Sequence, residues 1–141
     1  MFDKIYEDRL QEWGSFRDTL EEAEDPIQLA IGKYAQAPTV SIQTDPWDQS
    51  TWPSPWELIL ENQYCDFCKI LGICYSLQLT DRFSASHFEI HIEVDREKGR
   101  NYYLLSVDEY VVGYHETTWI YKTNLPSALE SQTVYLMKPL N

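Results

Sequence analysis

The sequence predicts an α+β protein in which one long central helix packs on an antiparallel meander of about five strands. Two observations lead to this prediction: an apolar, helix-like run that begins at Ser54, and several short alternating segments after residue 86. With 141 residues and 43% hydrophobic side chains, the chain is long enough for one compact core. We therefore expect an α+β domain over residues 45–141 and an N-terminal helical arm over residues 1–44.

Apolar residues at helical spacing predict that residues 2–24 form a helix with one apolar side. These residues are Ile5, Tyr6, Leu10, Trp13, Phe16 and Leu20. Gly14 lowers the helix propensity by roughly 1 kcal/mol relative to Ala, which allows a kink there. Asp25 and Pro26 then predict the start of a shorter helix, with Asp as its N-cap. Either these helices lie on the sheet of the same chain or they dock on another subunit.

The segment that follows the arm is unusually rich in tryptophan and proline. Residues 39–44 alternate apolar and polar side chains and predict a short edge strand. The next residues, DPWDQSTWPSPW, hold three tryptophans and three prolines, which is too rigid for a flexible linker and too apolar to remain in water. Trp47, Trp52 and Trp56 either close the open end of the core or form a contact surface for a partner.

The central helix is predicted to begin directly after Ser54, whose hydroxyl can cap the free backbone N–H groups while Glu57 completes a capping box. Apolar residues at spacings of three and four continue to about Leu71, and the glycine that follows is a typical helix stop. From there the apolar period changes to two. This change predicts a strand with one buried face over residues 73–79.

The remaining strands are predicted from alternation and turn residues. HFEIHIEV, at residues 87–94, alternates strictly and predicts a strand with one buried face, and residues 102–107 predict its hairpin partner. Short β segments are expected at residues 110–114, 117–121 and 133–137. The predicted core consists of Leu58, Ile59, Ile70, Leu71, Ile73, Tyr75, Leu77, Phe88, Ile90, Ile92, Leu105 and Val112.

The charge balance limits the kinds of partner. The formal net charge is −12, from 23 acidic and 11 basic side chains, and the basic residues are not gathered anywhere. Such a chain repels a phosphate backbone or an anionic bilayer, so we expect neither direct nucleic-acid binding nor a membrane. No apolar run approaches the roughly 20 residues that span a bilayer, and the N-terminus lacks the apolar core of a secretion signal. We expect a soluble intracellular product without a cofactor.

Three cysteines, Cys65, Cys68 and Cys74, lie in apolar elements and are expected to be reduced and buried. The first two form a C-x-x-C motif. Redox pairs of this kind begin a helix, whereas this pair is predicted to lie late in one. A zinc site would need a histidine from a distant strand, and Glu89 with His91 is a weak metal-ligand pair on a strand face. We therefore expect structural cysteines and no bound metal.

One constellation indicates a catalytic alternative. Cys65, His91 and Asp108 follow one another as a helical thiol, a histidine on a strand and a carboxylate after the next strand. Over residues 54–114 this order resembles the transglutaminase-like and papain-like superfamily of cysteine enzymes. The resemblance implies a hydrolase or acyltransferase with Cys65 as nucleophile, His91 as base and Asp108 as orienting carboxylate. The family's nucleophile begins a helix, and Tyr64 replaces the usual Gly or Trp before it, so the resemblance implies a lost catalytic function.

A second resemblance covers nearly the whole chain from Asp45 onward. The strings WPSPWELILENQYC, LGICYSLQLTDRF, FEIHIEVDREK and YYLLSVDEYVVGY resemble small proteins encoded among the virion genes of contractile-tailed bacteriophages. The resemblance implies a structural component of the particle at the neck, tail or baseplate. It further implies that the chain is made in the host cytoplasm, resides in the virion and binds other virion structural proteins in multiple copies.

Two functions from different classes are therefore carried forward. The first is a non-catalytic assembly subunit, whose partner anchors are predicted to be large aromatic residues in segments with little local core. These anchors are Trp13, Phe16, Trp47 and Trp52. The second is the cysteine enzyme described above. Thiol reactivity separates them, because a catalytic Cys65 is alkylated far faster than the other two cysteines.

Overall fold

The computed structural model describes residues 1–41 and 44–140 and divides into two compact units, Met1–Ser84 and Ala85–Asn141. The first unit holds four α-helices and the second holds a five-stranded antiparallel sheet, so the α+β class is confirmed. The boundary differs from the predicted division after residue 44. It differs because the N-terminal helices pack on the helices that follow them and so belong to the same unit.

The two N-terminal helices form where the sequence predicts them. Helix α1 (Tyr6–Glu22) continues through Gly14, and helix α2 (Pro26–Tyr34) begins after Asp25. The Asp25 carboxylate accepts a hydrogen bond from the backbone N–H of Gln28, which caps α2. Both helices bury their apolar sides. The buried residues are Trp13, Phe16, Leu20, Ile27, Ala30, Ile31 and Tyr34.

The predicted long central helix is wrong, because the chain forms two helices in its place. Helix α3 spans Pro55–Glu61 and helix α4 spans Asp66–Gln78. The start of α3 is as predicted: Ser54 Oγ accepts from the Glu57 N–H, and the Glu57 carboxylate accepts from the Ser54 N–H. The helix ends at Asn62, whose φ of 52° is left-handed, a conformation that asparagine tolerates at helix ends.

The strand predicted over residues 73–79 is also wrong, because these residues belong to α4. Every residue from Ile70 to Gln78 is buried, so the helix is covered on all sides and its polar residues mark no solvent face. Gly72 lies inside α4 and does not end it. The ring of Tyr34 occupies the space that a Cβ at Gly72 would need.

A buried hydroxyl network around Ser76 joins three helices of the first unit. Ser76 Oγ donates to the Gly72 carbonyl at 2.7 Å and accepts from Trp13 Nε1 at 2.9 Å. The Tyr34 hydroxyl lies 3.1 Å from the same oxygen. Each polar atom of this network has a hydrogen-bond partner, and these bonds offset the hydration that the atoms lose on burial.

Residues 39–44, predicted as an edge strand, form no regular strand among their described members. Thr39 makes a single parallel β-bridge with Tyr64, while Ile42 and Gln43 lie outside the described residues. Short 3₁₀ turns occur in each unit, at Gln49–Thr51 and Lys122–Asn124.

The sheet of the second unit has the order β4-β3-β2-β1-β5. The strands are β1 (Phe88–Asp95), β2 (Arg100–Val107), β3 (Tyr110–Val112), β4 (Ile120–Tyr121) and β5 (Leu129–Met137). The first four form the predicted meander, in which the predicted hairpin pairs Phe88 with Val107 and Ile90 with Leu105. Strand β5 returns to pair with the other side of β1.

Both faces of this sheet carry buried apolar residues. All twelve residues predicted for the core are at most 8% exposed, which confirms the core prediction in both units. The opposite sheet face carries a cluster that the sequence did not predict, in which Tyr102, Leu104 and Val111 are buried. The residues that pack against this cluster are Tyr114, Ile120, Leu125 and Leu129.

Candidate functional site

The aromatic residues predicted as partner anchors divide into buried and exposed ones. Trp13 is 1% exposed, donates its indole N–H to Ser76, and lies edge-on to Trp56 with ring centroids 5.4 Å apart. The Arg17 guanidinium covers its ring at 4.5 Å from the centroid. Phe16 is buried as well. In this conformation both residues belong to the core of the first unit and offer no free ring to a partner.

The two tryptophans of the Trp/Pro segment differ from each other. Trp52 is half-buried, its ring centroid lies 4.9 Å from that of Phe67, and its indole N–H donates to the Asp45 carbonyl at 3.0 Å. Trp52 therefore closes part of the core, as one of the two interpretations predicts. Trp47 is 53% exposed and fits the other interpretation, a contact surface.

An exposed apolar surface that the anchor prediction missed lies where α1 and α3 meet. Trp56 and Leu60 stand one turn apart on α3 and are 52% and 55% exposed, and Ile5, at the start of α1, is 66% exposed. The Arg9 guanidinium donates to the carbonyl oxygens of Lys4 and Leu60, which fixes the start of α1 beside the end of α3. We call Ile5, Trp56 and Leu60 the α3 patch. The signal in the sequence was the spacing of four between Trp56 and Leu60, outside the buried stripe.

The surroundings of the α3 patch are mainly acidic. Glu57 and Glu61 follow the two exposed apolar residues of α3 and are themselves exposed. The pKa of Glu57 is lowered because its carboxylate accepts the Ser54 backbone N–H, so this charge persists in moderate acid. Fifteen of the 23 acidic side chains of the chain lie in residues 1–84. A partner of this surface therefore meets negative charge around an apolar centre.

The C-x-x-C motif lies at the start of helix α4, whereas the sequence predicted it late in a helix. Cys65 is the N-cap residue of α4 and Cys68 is at the third helical position. The prediction that the motif lies late in a helix is wrong because α3 ends at Asn62 and a new helix begins. All three cysteines are reduced and buried, as expected.

The other two residues of the catalytic alternative lie in the second unit and have local partners. His91 Nε2 lies 3.0 Å from Glu89 Oε1, and His87 Nε2 lies 2.9 Å from Glu89 Oε2. The hydrogen bond with His87, together with that of His91, lowers the pKa of the Glu89 carboxyl. Asp108 lies in the turn between β2 and β3, where its carboxylate accepts the His87 backbone N–H at 2.8 Å. His91 is thus hydrogen-bonded to Glu89, a residue that the constellation did not include.

The structure was searched for side-chain groups that could bind a metal ion. Among the described residues, no group of three His, Cys, Asp or Glu side chains has a geometry that could hold a metal ion. Within the same residues, no helix is long and apolar enough to cross a membrane.

Comparisons with known proteins add no relative. A scan against protein-family models finds no match, and neither a search of the curated proteins nor a search of the solved structures finds a matching chain. The functional argument therefore depends on the chain's own surfaces and side chains.

Proposed function

We propose that this protein is a non-catalytic assembly subunit that acts through protein–protein contacts. The observation that carries the proposal is the α3 patch, in which an exposed tryptophan and an exposed leucine stand one turn apart beside a third exposed apolar residue. Large apolar side chains that gather on an exposed helix face are typical of interaction surfaces. Tryptophan is also the residue type most enriched among those that contribute most to binding.

The chemistry of the patch favours a particular kind of partner. Full burial of a leucine side chain contributes about 1.5–3 kcal/mol, and Leu60 is about half exposed, so its burial on binding is worth about 1–2 kcal/mol. The acidic residues around the patch favour a partner with a basic rim, because complementary charge speeds association and disfavours wrong partners. Trp47 offers a second exposed anchor in the same unit.

The setting that we propose is the particle of a contractile-tailed bacteriophage, at its neck, tail or baseplate. It is supported by the resemblance of the chain from Asp45 onward to small proteins of virion gene clusters. The partners are then other virion structural proteins, and several copies are present in each particle. The protein is made in the host cytoplasm and resides in the virion.

Incorporation into particles tests this proposal. Leu60→Asp places a charge in the centre of the α3 patch, and Leu29→Asp makes the same change at an exposed leucine on α2, outside the patch. Particles of the virus whose genome encodes the chain should contain the wild-type and Leu29→Asp proteins by quantitative mass spectrometry. The Leu60→Asp protein should be reduced about tenfold or more. Equal incorporation of both variants would remove the α3 patch from the proposal, and absence of the wild-type protein would refute the virion setting.

A second candidate function is a transglutaminase-like cysteine hydrolase or acyltransferase. One observation favours it: Cys65 lies at the N-terminus of α4, where the resembled superfamily carries its nucleophile. Cys65 is only 3% exposed, and its predicted base and carboxylate have the partners described above. This enzyme requires that iodoacetamide at neutral pH alkylate Cys65 far faster than Cys74 in the folded chain. Equal, slow alkylation of both would exclude it.

A further inference from the structure

The two cysteines of the C-x-x-C motif form a thiol pair. Neither proposed function gives a role to both of them. A hydrogen bond joins the side chains of Cys65 and Cys68. Each residue is 3% exposed, and each carries a reduced thiol. Thr44 Oγ1 lies 3.3 Å from Cys68 Sγ and gives that sulfur a second polar contact.

The backbone positions of the pair lie close to those that a disulfide needs. Residues three apart in a helix have Cβ atoms about 5–6 Å apart, and a disulfide needs a Cβ separation of about 3.5–4.5 Å. Cys65 is the N-cap residue of α4 with an extended backbone, and its side chain hydrogen-bonds with that of Cys68. Closure therefore requires side-chain rotation and a small shift of the first turn of α4. That turn can adjust because the first N–H groups of a helix have no partners within the helix.

We propose that Cys65 and Cys68 are a reversible redox couple, which a small hydroperoxide such as hydrogen peroxide oxidises to an intrachain disulfide. In the first step the Cys65 thiolate attacks one peroxide oxygen and the O–O bond breaks. The sulfenic acid of Cys65 forms, and the departing hydroxide takes up the proton that Cys65 released, giving water. The Cys68 sulfur then displaces the sulfenic hydroxyl, which leaves as a second water with the Cys68 proton. The dithiol loses two electrons, and the peroxide gains them.

Two features assign the attack to Cys65 and the closing step to Cys68. Cys65 is the N-cap residue and stands at the positive end of α4, the position at which helices activate a thiol for attack, whereas Cys68 lies inside the first turn. The hydrogen bond with Cys65, together with burial, raises the pKa of the Cys68 thiol and keeps the proton on Cys68. Because both residues are only 3% exposed, the proposal specifies a small oxidant.

Cys74 provides a matched control within the same helix. It is fully buried, and burial raises the pKa of its thiol. Trypsin cleaves after Lys33, Lys69 and Arg82, so the pair falls in the peptide of residues 34–69 and Cys74 falls in the peptide of residues 70–82. Mass spectrometry can therefore follow the pair and the control separately in one digest of the full chain.

The folded chain is treated with hydrogen peroxide, unfolded in N-ethylmaleimide and digested with trypsin. The peptide of residues 34–69 should lose the mass of two hydrogen atoms and take up no maleimide, and dithiothreitol should restore both of its thiols before labelling. The peptide of residues 70–82 should carry one maleimide throughout. Two maleimides on the first peptide at the highest peroxide dose that leaves the chain folded would refute the couple, as would oxidation of Cys74 at the same rate.

Two variants test the assigned roles. Cys68→Ser should stop the reaction at the sulfenic acid of Cys65, which dimedone traps. Cys65→Ser should slow the oxidation of Cys68 at least tenfold. If Cys65→Ser instead leaves a sulfenic acid on Cys68 at the wild-type rate, the assignment of the attacking thiol is wrong. The proposal is independent of the hydrolase candidate, because a chain without hydrolase activity still shows the disulfide if the couple exists.

Discussion

The substitution Gly72→Ala should destabilise the first unit, although alanine is the better helix former. A Cβ at Gly72 would lie 2.7 Å from Cζ and 2.8 Å from Cδ1 of Tyr34, and closer still to Cε1. Carbon atoms of packed side chains have their best separation at about 3.5–4.0 Å. The added methyl group therefore overlaps three atoms of one rigid ring.

The ring of Tyr34 has little freedom to move away. It is buried, its hydroxyl lies 3.1 Å from Ser76 Oγ, and the rings of Phe2 and Tyr64 pack edge-on against it with centroids 5.7 Å away. Overpacking of such a core costs about 1–3 kcal/mol, sometimes more. Alanine in a helix interior gains about 1 kcal/mol over glycine. Because the close overlap with the ring places the cost toward the upper end of that range, we expect a net loss of up to about 2 kcal/mol.

Gly32→Ala supplies the control, because Gly32 also lies inside a helix but a Cβ there meets nothing within 4 Å. That variant should be more stable than wild type by about 0.5–1 kcal/mol. Urea unfolding followed by the helical circular dichroism measures both changes. A double-mutant cycle with Tyr34→Leu should show that Gly72→Ala costs less when the ring is absent. If Gly72→Ala stabilises the protein as Gly32→Ala does, the close packing of Tyr34 on α4 is refuted.

Three further outcomes are expected. Leu77→Ala should cost about 2–5 kcal/mol in urea unfolding, because Leu77 is fully buried, and a loss within experimental error would contradict its place in the core. Ser54→Ala should cost about 0.5–2 kcal/mol through the lost cap of α3, whereas no change would show that the capping box is unimportant. Burial raises the pKa of Tyr34 from 10.0 to about 12, so the folded chain holds the phenol proton more tightly than the unfolded chain does. The stability that this proton contributes should be intact below pH 10 and should fall as the pH rises toward 12. Tyr34→Phe should make that fall less steep.

Elements with a local chemical signature could be predicted from the sequence. The capping box at Ser54 and Glu57, and the cap at Asp25, fix where helices begin through hydrogen bonds between near neighbours. The alternation of β1 likewise fixes its faces as far as Ile92, because each side chain points opposite to the one before it. Beyond the register shift at Ile92 and Glu93 the pattern fails, since Glu93 is buried and Val94 is only half-buried. These signals need no knowledge of distant residues, and the structure confirms the elements that they predict.

The second half of the central run could not be predicted because its burial is complete. Apolar periodicity reports secondary structure only when one face meets water, and from Ile70 to Gln78 no face does. The small polar residues there look like the outer face of a strand, yet Ser76 is inside, held by three hydrogen-bonding groups. Gly72 was misleading for the same reason, since its lack of a side chain admits the Tyr34 ring from α2.

The same distant packing explains why the partner anchors were difficult to select. Trp13 looked like a residue without a local core, but its indole N–H binds Ser76 of α4, which is 63 residues away and lies in the part of that helix predicted as a strand. Once α4 is helical, its buried surface receives α1 and α2. Among the large apolar residues that stay exposed in the first unit, Trp56 and Leu60 lie on the outer side of α3.

The break at Asn62 has the largest consequence for function. An uninterrupted helix from residue 55 would place Cys65 after three turns, with its neighbouring N–H groups already hydrogen-bonded and no positive end of a helix near its sulfur. A single left-handed residue ends that helix and makes Cys65 the first residue of the next one. The same C-x-x-C string thus changes from a pair of side chains late in a helix to a thiol pair at a helix start, which is the placement that the proposed redox couple requires. Asn62→Ala tests this dependence: if it lets α3 continue toward Cys65, the peroxide-driven disulfide should be lost together with the left-handed turn. A variant that loses the turn and still forms the disulfide at the wild-type rate would show that the chemistry of the pair does not come from its position on α4.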